Sequence, residues 1–227
     1  MVSYEEYVRF SGHGDMALLK EISRGNEVAY AVLLDRYVEL VSRNSFRIMC
    51  DREDSEAVVR KVFISLWNDV LDYDDRFELG EWLLRKTCHF CRIRITRRRI
   101  LRLFGVTTDV FVQASPKVED YDDYVTKQAW ELYCRASTHL TPLQSAAYAL
   151  CELEGLKTDR VALIMGMSRL RIDLALQRGA EKNRHELEKY ARENDYDVYV
   201  GFLRKVAESL TDHYVLKKSI MKELFHD

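Results

Sequence analysis

Pairs of apolar residues recur every four positions within the first third of the chain. A spacing of three and four places side chains on one face of an α-helix, whereas a strand requires alternation with a period of two. The segment is therefore predicted to be a long helix whose wide apolar face must be covered by other helices. The repeat consists of Val58/Val59, Val62/Phe63, Leu66/Trp67 and Val70/Leu71.

The content of turn-forming residues extends this prediction to the whole chain. Only nine glycines and two prolines occur among 227 residues, and sheets and long loops need these residues at their turns. Hydrophobic residues make up 47% of the chain and charged residues 32%, which excludes disorder for most of its length. We therefore predict an all-α protein.

Breaks in the helical patterns divide the chain into four parts. Gly105, Pro116 and the acidic run at 119–123 interrupt the helices and are typical of a linker. We also expect Asp15 and Asn26 to be N-caps of two early helices. The predicted parts are an N-terminal helical domain (1–102), an acidic linker (103–127), a second helical domain (128–190) and a helical C-terminal extension (191–227).

Charge is concentrated on one predicted helix although the net charge of the chain is only −2. The segment 85–102 has eight basic residues and no acidic one, whereas 51–81 has ten acidic and four basic residues. Eight like charges without an acidic neighbour in the segment favour a surface that binds nucleic acid. The basic residues are Arg85, Lys86, Arg92, Arg94, Arg97, Arg98, Arg99 and Arg102.

The second predicted domain has the spacing of a helix-turn-helix. Thr141 and Pro142 are typical of a helix start, and a short helix at 158–165 is followed by Gly166 and by a helix that Ser168 would cap. This arrangement places a second helix in position to enter the major groove of DNA. The predicted inward-facing residues are Val161, Ala162, Met167, Ile172 and Leu176.

Other classes of protein are disfavoured by what the sequence contains. Cys88 and Cys91 would supply only two of the four ligands that a structural zinc site needs, and the sequence has no second cysteine pair of this kind. The five cysteines fit a reducing compartment. The six histidines are scattered, and no phosphate-binding glycine loop or nucleophile motif is found. We therefore expect no enzyme activity, no metal and no cofactor. No apolar run approaches the ~20 residues of a membrane span, so a cytoplasmic protein is expected.

In this order and spacing, the motifs resemble bacterial RNA polymerase sigma factors of the extracytoplasmic-function group. The resemblance runs from about residue 14 to residue 190. Its landmarks are the segment 54–63 with Leu66-Trp67, Trp82-Leu83 followed by Arg97-Arg98-Arg99, Leu140, Glu154-Gly155-Leu156, Val161-Ala162, Gly166-Met167-Ser168 and Arg178.

The resemblance implies three binding surfaces. The first domain would bind core RNA polymerase and hold melted minus-ten promoter DNA, and the helix-turn-helix would bind the minus-thirty-five element. The implied polymerase-binding residues are Glu56, Val59, Arg60, Phe63 and Trp67; the minus-ten residues are Phe77, Trp82, Arg92, Arg97, Arg98 and Arg99; the minus-thirty-five residues are Arg169, Arg171, Gln177 and Arg178. Trp82 alternatively lies in the core beneath the basic helix.

Several positions depart from the family pattern, and they fall on these surfaces. We interpret them as a weakened ability to read promoter DNA alone, because each lost phosphate contact weakens binding. The departures are Ala57, Arg60 and Lys61 in the polymerase-binding helix, His89 and Ile93 in the basic helix, Arg160 where a glutamate is usual, and Arg171, Asp173 and Ala175 in the recognition helix.

The C-terminal extension leaves two interpretations open. It either packs on the second domain and extends its core, or it docks a DNA-targeting partner, such as a nuclease-inactive RNA-guided effector that supplies sequence specificity by base pairing. An anti-sigma factor is a further candidate partner. The alternative function is a helix-turn-helix regulator, or a decoy sigma factor that has lost polymerase binding.

Overall fold

The computed structural model describes residues 4–104, 130–190 and 213–225. All regular elements within these ranges are helical, so the prediction of an all-α fold is confirmed for them. Two α-helices continue as tighter or wider turns, at Val70–Asp72 (3-10) and Ala149–Leu153 (π). The α-helices are α1 (Tyr4–Ser11), α2 (Asp15–Ile22), α3 (Glu27–Met49), α4 (Arg52–Asn68), α5 (Leu79–Leu103), α6 (helical at 130–137), α7 (Pro142–Tyr148), α8 (Thr158–Met165), α9 (Arg169–Tyr190) and α10 (His213–Phe225).

Two of the four predicted N-caps are formed, one is not, and the fourth, Ser168, directly precedes α9. The Asn26 side chain accepts a hydrogen bond from the Ala29 backbone N–H at 3.0 Å, and Thr141 forms a reciprocal capping box with Gln144. Each cap satisfies a backbone donor that the first helical turn leaves free. The Asp15 prediction is wrong: Gly14 precedes α2, and Asp15 instead accepts a hydrogen bond from the Tyr37 hydroxyl at 2.5 Å.

The four-residue repeat of apolar pairs extends beyond the C-terminal end of the helix that it predicts. α4 ends at Asn68, where the Ser65 hydroxyl donates to the Asp69 carboxylate at 2.7 Å. The last pair of the repeat therefore falls in a 3-10 turn, and Leu71 is exposed. A side chain in that turn no longer lies on the face that α4 turns toward the core.

α3 is the central helix of the fold. α1, α2, α4, α5 and α10 pack against it, and so does α7. The Tyr30 hydroxyl in α3 donates to the carbonyl of Phe63 in α4 at 3.0 Å, which satisfies a polar group that is otherwise fully buried. This packing covers the wide apolar face of α4 as predicted.

Helices α7 and α8 pack directly on α3 and α5, and α7–α9 share one apolar core with the N-terminal helices. The ring of Phe46 in α3 stacks on Trp130 in α6 with centroids 5.1 Å apart. The Tyr133 hydroxyl donates to the carbonyl of Arg47 at 2.8 Å. Nearly all of the predicted linker, from residue 105 to 127, lies outside the described residues.

The described part of the C-terminal extension packs on the N-terminal helices. α10 lies against α3 and α4 and buries Leu216 and Ile220, so the expectation that the extension packs on the second domain is wrong for this helix. The physical reason is an aromatic contact: the Phe225 ring packs edge-on against the Trp67 ring, with centroids 4.6 Å apart. The predicted helical pattern at 199–210 lies outside the described residues.

Candidate polymerase and nucleic-acid surfaces

The basic helix α5 does not present all of its cations to solvent. Arg94 and Arg98 both form ion pairs with Asp54 in the first turn of α4, and burial lowers the pKa of Arg98. Arg99 donates a hydrogen bond to the carbonyl of Leu140. Two of the predicted DNA-binding arginines, Arg98 and Arg99, are therefore engaged within the chain.

A smaller set of α5 arginines remains available to a ligand. Arg92, Arg97 and Arg102 are exposed, and their side chains make no hydrogen bond or ion pair with another described residue. Positions 92 and 97 flank the exposed side chains of Ile93 and Ile100 on the solvent side of the helix. The surface thus combines free guanidinium groups, which can neutralise phosphates, with an adjacent apolar area.

The two predicted aromatic contacts to minus-ten DNA lie in the core. Phe77 and Trp82 are only 6% and 3% exposed. The Arg85 guanidinium lies over the Phe77 ring at 5.4 Å, and the Lys86 ammonium lies over the Trp82 ring at 4.9 Å. These rings therefore support basic residues from beneath, which is the alternative that the sequence left open for Trp82.

His89 and the cysteine pair occupy opposite sides of α5. His89 is exposed, and burial followed by the charges of Arg92 and Lys86 lowers its pKa, which favours the neutral imidazole at pH 7. Cys88 and Cys91 face inward, and burial raises the pKa of Cys88 to about 12. No cluster of metal-ligating side chains is found among the described residues.

The predicted polymerase-binding face of α4 divides into a buried and an accessible part. Val59 and Phe63 are 1% and 0% exposed, so in this conformation neither side chain reaches a partner. Glu56, Arg60 and Trp67 are partly exposed and recur at spacings that share one helical face. Trp67 already contacts α10 at one end of this face.

Two of the three departures on α4 do not lie on that accessible face. Ala57 and Lys61 line a groove of about 430 Å³ between α4 and α5, and the Lys61 ammonium lies over the Phe90 ring at 5.4 Å. Arg60 is the one departure beside Glu56 and forms an ion pair with it at 3.9 Å. The difference from the family pattern on the predicted polymerase-binding face is therefore smaller than the sequence indicated.

The helix-turn-helix is formed as predicted by α8, Gly166 and α9. Gly166 has φ +63°, a left-handed conformation that favours glycine at the end of a helix. The Met167 N–H donates to the carbonyl of Ala162 at 2.9 Å and closes the turn. The predicted inward residues pack as expected: Val161, Ala162 and Ile172 are buried, and Met167 and Leu176 are partly buried.

The predicted DNA-binding residues of α9 are exposed, but one of them is neutralised. Arg169 pairs with Asp159 at 3.1 Å and with Asp173 at 3.4 Å. Asp173 therefore offsets the positive charge of Arg169 and also places a negative charge on the predicted DNA-binding surface. Ala175 is buried, so the interpretation that it removes a DNA contact is wrong: its side chain faces the core. The exposed set is Arg169, Arg171, Gln177 and Arg178.

Two ion-pair clusters between distant parts of the chain were missed by sequence reasoning. Glu154 binds Arg43 and Arg47 of α3, and Arg160 binds Glu81 of α5. A partial signal existed, since Glu154 belongs to a family landmark and Arg160 is a departure from the family pattern. No periodicity connects either residue with its partner, because the partners are about 80 to 110 residues away along the chain.

These features define a helical protein with a basic helix packed beside a helix-turn-helix. A sequence relative is the ECF RNA polymerase sigma factor SigE of Mycolicibacterium smegmatis (strain ATCC 700084 / mc(2)155), which is 23% identical over 161 residues. These residues are 71% of this chain and 62% of the relative, so the match spans less than two thirds of that protein. The resemblance to extracytoplasmic-function sigma factors is thereby confirmed.

One solved structure has a similar fold. CnrH, solved in complex with the cytosolic domain of CnrY, superposes with a TM-score of 0.56 at 18% identity, over 78% of this chain and 99% of the other. The sigma factor RpoE from Bartonella quintana, solved with the anti-sigma factor NepR, gives a TM-score of 0.47 at 18% identity, over 68% and 94%. No protein-family model matches the chain. None of the described helices is long and apolar enough to cross a membrane.

Proposed function

We propose that this protein is a sigma factor that binds core RNA polymerase in the bacterial cytoplasm and directs transcription initiation. The observation that carries the proposal is the order of three surfaces along one chain. An accessible charged face on α4 is followed by the free arginines of α5 and then by a helix-turn-helix. The likeness to SigE in sequence supports the same assignment.

In the proposed mechanism the chain contributes binding energy and catalyses no reaction. Arg92 and Arg97 neutralise phosphates of the melted minus-ten strand, and the neighbouring Ile93 and Ile100 offer apolar surface to unstacked bases. Opening a duplex costs a few kcal/mol per unstacked base step. Counterion release from the phosphates offsets this cost, so binding weakens steeply with salt.

We expect α9 to bind the minus-thirty-five element more weakly than its place in the helix-turn-helix suggests. Arg171, Gln177 and Arg178 are exposed and have side chains that reach base edges or phosphates. Arg169 becomes available only when it leaves Asp159 and Asp173. Promoter choice therefore rests on fewer contacts in this domain.

A second protein would compensate for this weakness, and the extension offers it a surface. We infer that α10 docks a DNA-targeting partner, for which a nuclease-inactive RNA-guided effector is one candidate. Lys218 and Lys222 lie on the exposed side of α10, opposite the buried Ile220. An anti-sigma factor is the other candidate partner for this surface.

The partner proposal is tested without deleting the extension, because deletion would uncover Tyr30 and Trp67. The variant Lys218→Glu/Lys222→Glu keeps the buried side of α10. Its control is Lys20→Glu/Arg24→Glu, at the exposed end of α2 and in the turn that follows it. With an RNA-guided effector of the host as the probe, the α10 variant should co-purify at least tenfold less and the control as much as wild type. Equal recovery of both would count against docking through α10.

The rival function is a helix-turn-helix regulator or decoy that no longer binds polymerase. The departures at Ala57, Arg60 and Lys61 are the features that favour it, but Ala57 and Lys61 line the groove beside α5 and only Arg60 lies on the accessible face of α4. The two functions differ in one measurement, namely whether the folded chain co-elutes with core polymerase of its host on gel filtration. Co-elution supports the sigma factor; a folded chain that elutes alone makes the regulator the better proposal.

A pair of adjacent charge reversals then tests the polymerase-binding face. Arg60→Glu changes the accessible face of α4, whereas Lys61→Glu makes the same change of charge on the groove side. We expect Arg60→Glu to weaken polymerase binding at least fivefold and Lys61→Glu to leave it within twofold of wild type. The reverse order would show that polymerase binds the groove side instead.

A further inference from the structure

Two leucines lie on the outermost side of α9, the second helix of the helix-turn-helix. Leu170 is 68% exposed and Leu174 is 43% exposed. They are four residues apart, so they share one side of the helix and are about 6 Å from each other along its axis. The buried Ile172 and Ala175 lie on the opposite side. The leucines therefore point away from the core, on the side of α9 that is predicted to enter the major groove.

An apolar side chain in the major groove has one specific base contact. Thymine has a methyl group at C5 that projects into this groove, whereas the other distinguishing groups there are hydrogen-bond donors and acceptors. The leucine side chain forms no hydrogen bonds, so Leu170 and Leu174 can contribute to base recognition only through such methyl groups. Their separation of about 6 Å corresponds to about two base-pair steps of about 3.4 Å.

The next exposed side chain on this side of α9 also favours an A·T pair. Gln177 follows Leu174 by three residues and is exposed. Its amide can donate to N7 of adenine and accept from the N6 amino group at the same time. In the first three turns of α9, the side chains that lie opposite the core thus match thymine, thymine and adenine, and none of them selects guanine.

The charges beside the leucine pair suit contacts with the DNA backbone. Arg171 and Arg178 are exposed and seven residues apart, so both lie on one flank of the pair. On the other flank, Arg169 is paired with Asp159 and Asp173. Guanidinium groups that border a helix in the groove reach phosphates, and these contacts position the helix without reading sequence. An apolar centre with a cationic border matches DNA better than it matches an apolar protein surface.

We propose that Leu170 and Leu174 select thymine methyl groups, so that the helix-turn-helix prefers A·T pairs where α9 enters the major groove. This inference rests on the proposed function and adds the class of sequence that the minus-thirty-five surface reads. Arg171 and Arg178 contribute affinity, and the leucines with Gln177 contribute selectivity. Burial of one methyl group changes an affinity by about fourfold, so the selectivity is modest and agrees with weak reading of the promoter by this domain.

The experiment compares two duplexes that differ only in methyl groups. The probe is a duplex of about 20 A·T pairs in mixed order, and the second duplex has deoxyuridine in place of every thymidine. Wild-type chain should bind the thymine duplex at least fourfold more tightly at low salt, as measured by fluorescence anisotropy. Phosphate contacts are the same in both duplexes, including any that α5 makes, so they cancel in the ratio of the two affinities.

Two double variants separate selectivity from affinity. Leu170→Ser/Leu174→Ser should bind the two duplexes within 1.5-fold of each other, whereas the control Leu71→Ser, at an exposed leucine in the 3-10 turn after α4, should keep the wild-type ratio. Arg171→Ala/Arg178→Ala should weaken binding to both duplexes equally and lower the slope of log K against log salt by about 1.8, at about 0.9 per phosphate contact. Circular dichroism verifies that each variant is folded.

Three outcomes would overturn the proposal. Equal binding of the two duplexes by the wild-type chain would do so and would favour a protein partner for the leucine pair. A thymine preference that persists in the folded Leu170→Ser/Leu174→Ser variant would assign the methyl contacts to other residues. Absence of duplex binding at low salt would remove the basis for any base selection. None of these measurements involves polymerase, so the proposed function is contradicted separately, by a folded chain that elutes alone.

Discussion

The carboxylate of Glu154 lies 2.5 Å from the guanidinium of Arg47, a cation whose side chain is only 2% exposed. Arg43 approaches the same carboxylate at 2.7 Å, and the Asn44 amide donates to it at 3.1 Å. One acidic residue that follows the π-helical turn after α7 thus meets two cations of the central helix. This cluster joins the two halves of the chain at the side of the core.

Glu154→Gln should destabilise the protein strongly. Removing one partner of a buried pair leaves an uncompensated charge, which costs about 3–5 kcal/mol. The control is Glu39→Gln, which removes an exposed partner of the same Arg43 and should cost less than about 1 kcal/mol. Urea denaturation of both variants measures the difference. Equal small losses would mean that the free energy of unfolding does not depend on the buried pair.

The same residue should make stability fall in acid. Burial raises the pKa of Glu154, but hydrogen bonds and charges from Arg43, Arg47 and Asn44 outweigh it, and the pKa is lowered below the usual 4.5. A lowered pKa contributes stability that is present above the unfolded value and is lost as the pH falls through the folded value. The difference in unfolding free energy between wild type and Glu154→Gln should therefore shrink between about pH 5 and pH 3. A constant difference would contradict this.

The docking of α10 on α3 and α4 should depend on Ile220. Its side chain is fully buried, so Ile220→Ser should cost about 2–4 kcal/mol, in the range of large-to-small changes in a core. Lys218→Ser makes an equivalent change on the exposed side of the same helix and should cost less than about 0.5 kcal/mol. Thermal unfolding followed by circular dichroism compares the two. Similar small effects would place α10 away from the core in solution.

Arg92 and Arg97 should contribute more to DNA binding than other exposed cations. Their joint replacement by alanine should weaken binding to single-stranded minus-ten DNA and reduce the slope of log K against log salt by about 1.4, at about 0.7 per phosphate contact. Lys20→Ala/Arg24→Ala removes the same charge from the end of α2 and the turn that follows it. The measurement is fluorescence anisotropy over a range of salt concentrations. Equal slopes for both double variants would assign the effect to net charge alone.

The cysteines should be unreactive in the folded protein. Burial raises the pKa of Cys88 and, with the nearby charges of Glu152 and Asp173, that of Cys151 to about 12, and the thiolate is the reactive form. At pH 8 the native chain should react with a thiol reagent at least a hundredfold more slowly than the chain in denaturant, where all five cysteines are modified. Rapid modification of the Cys88–Cys91 pair would show that the core around α5 opens readily.

The sequence was most informative where a structure depends on neighbouring residues. The cap at Asn26, the capping box at Thr141 and the left-handed turn at Gly166 each involve residues within four or five positions of one another. Apolar periodicity likewise identified α4 and the inward face of the helix-turn-helix. It failed at Leu71, where a local hydrogen bond between Ser65 and Asp69 accompanies the helix end before the pattern stops.

The candidate surfaces could be predicted only as sets of residues. The basic character of α5 is visible in the chain, but Asp54 neutralises two of its arginines from a position about 40 residues away. Aromatic residues next to a basic cluster suggested contacts with bases, yet Phe77 and Trp82 are buried because the core beneath α5 requires large side chains. Whether a residue faces DNA or its own core depends on helices that are distant in sequence.

The sequence by itself determined the helices, most of their caps, the basic segment and the order of the three candidate surfaces, because these follow from short-range spacing and composition. Only the tertiary structure decided which charges are free, where α10 docks, and that Glu154 and Arg160 join the two halves of the chain. Those contacts pair residues about 80 to 110 positions apart. No local pattern encodes such pairs, since they arise only when packing of the apolar faces brings the helices together.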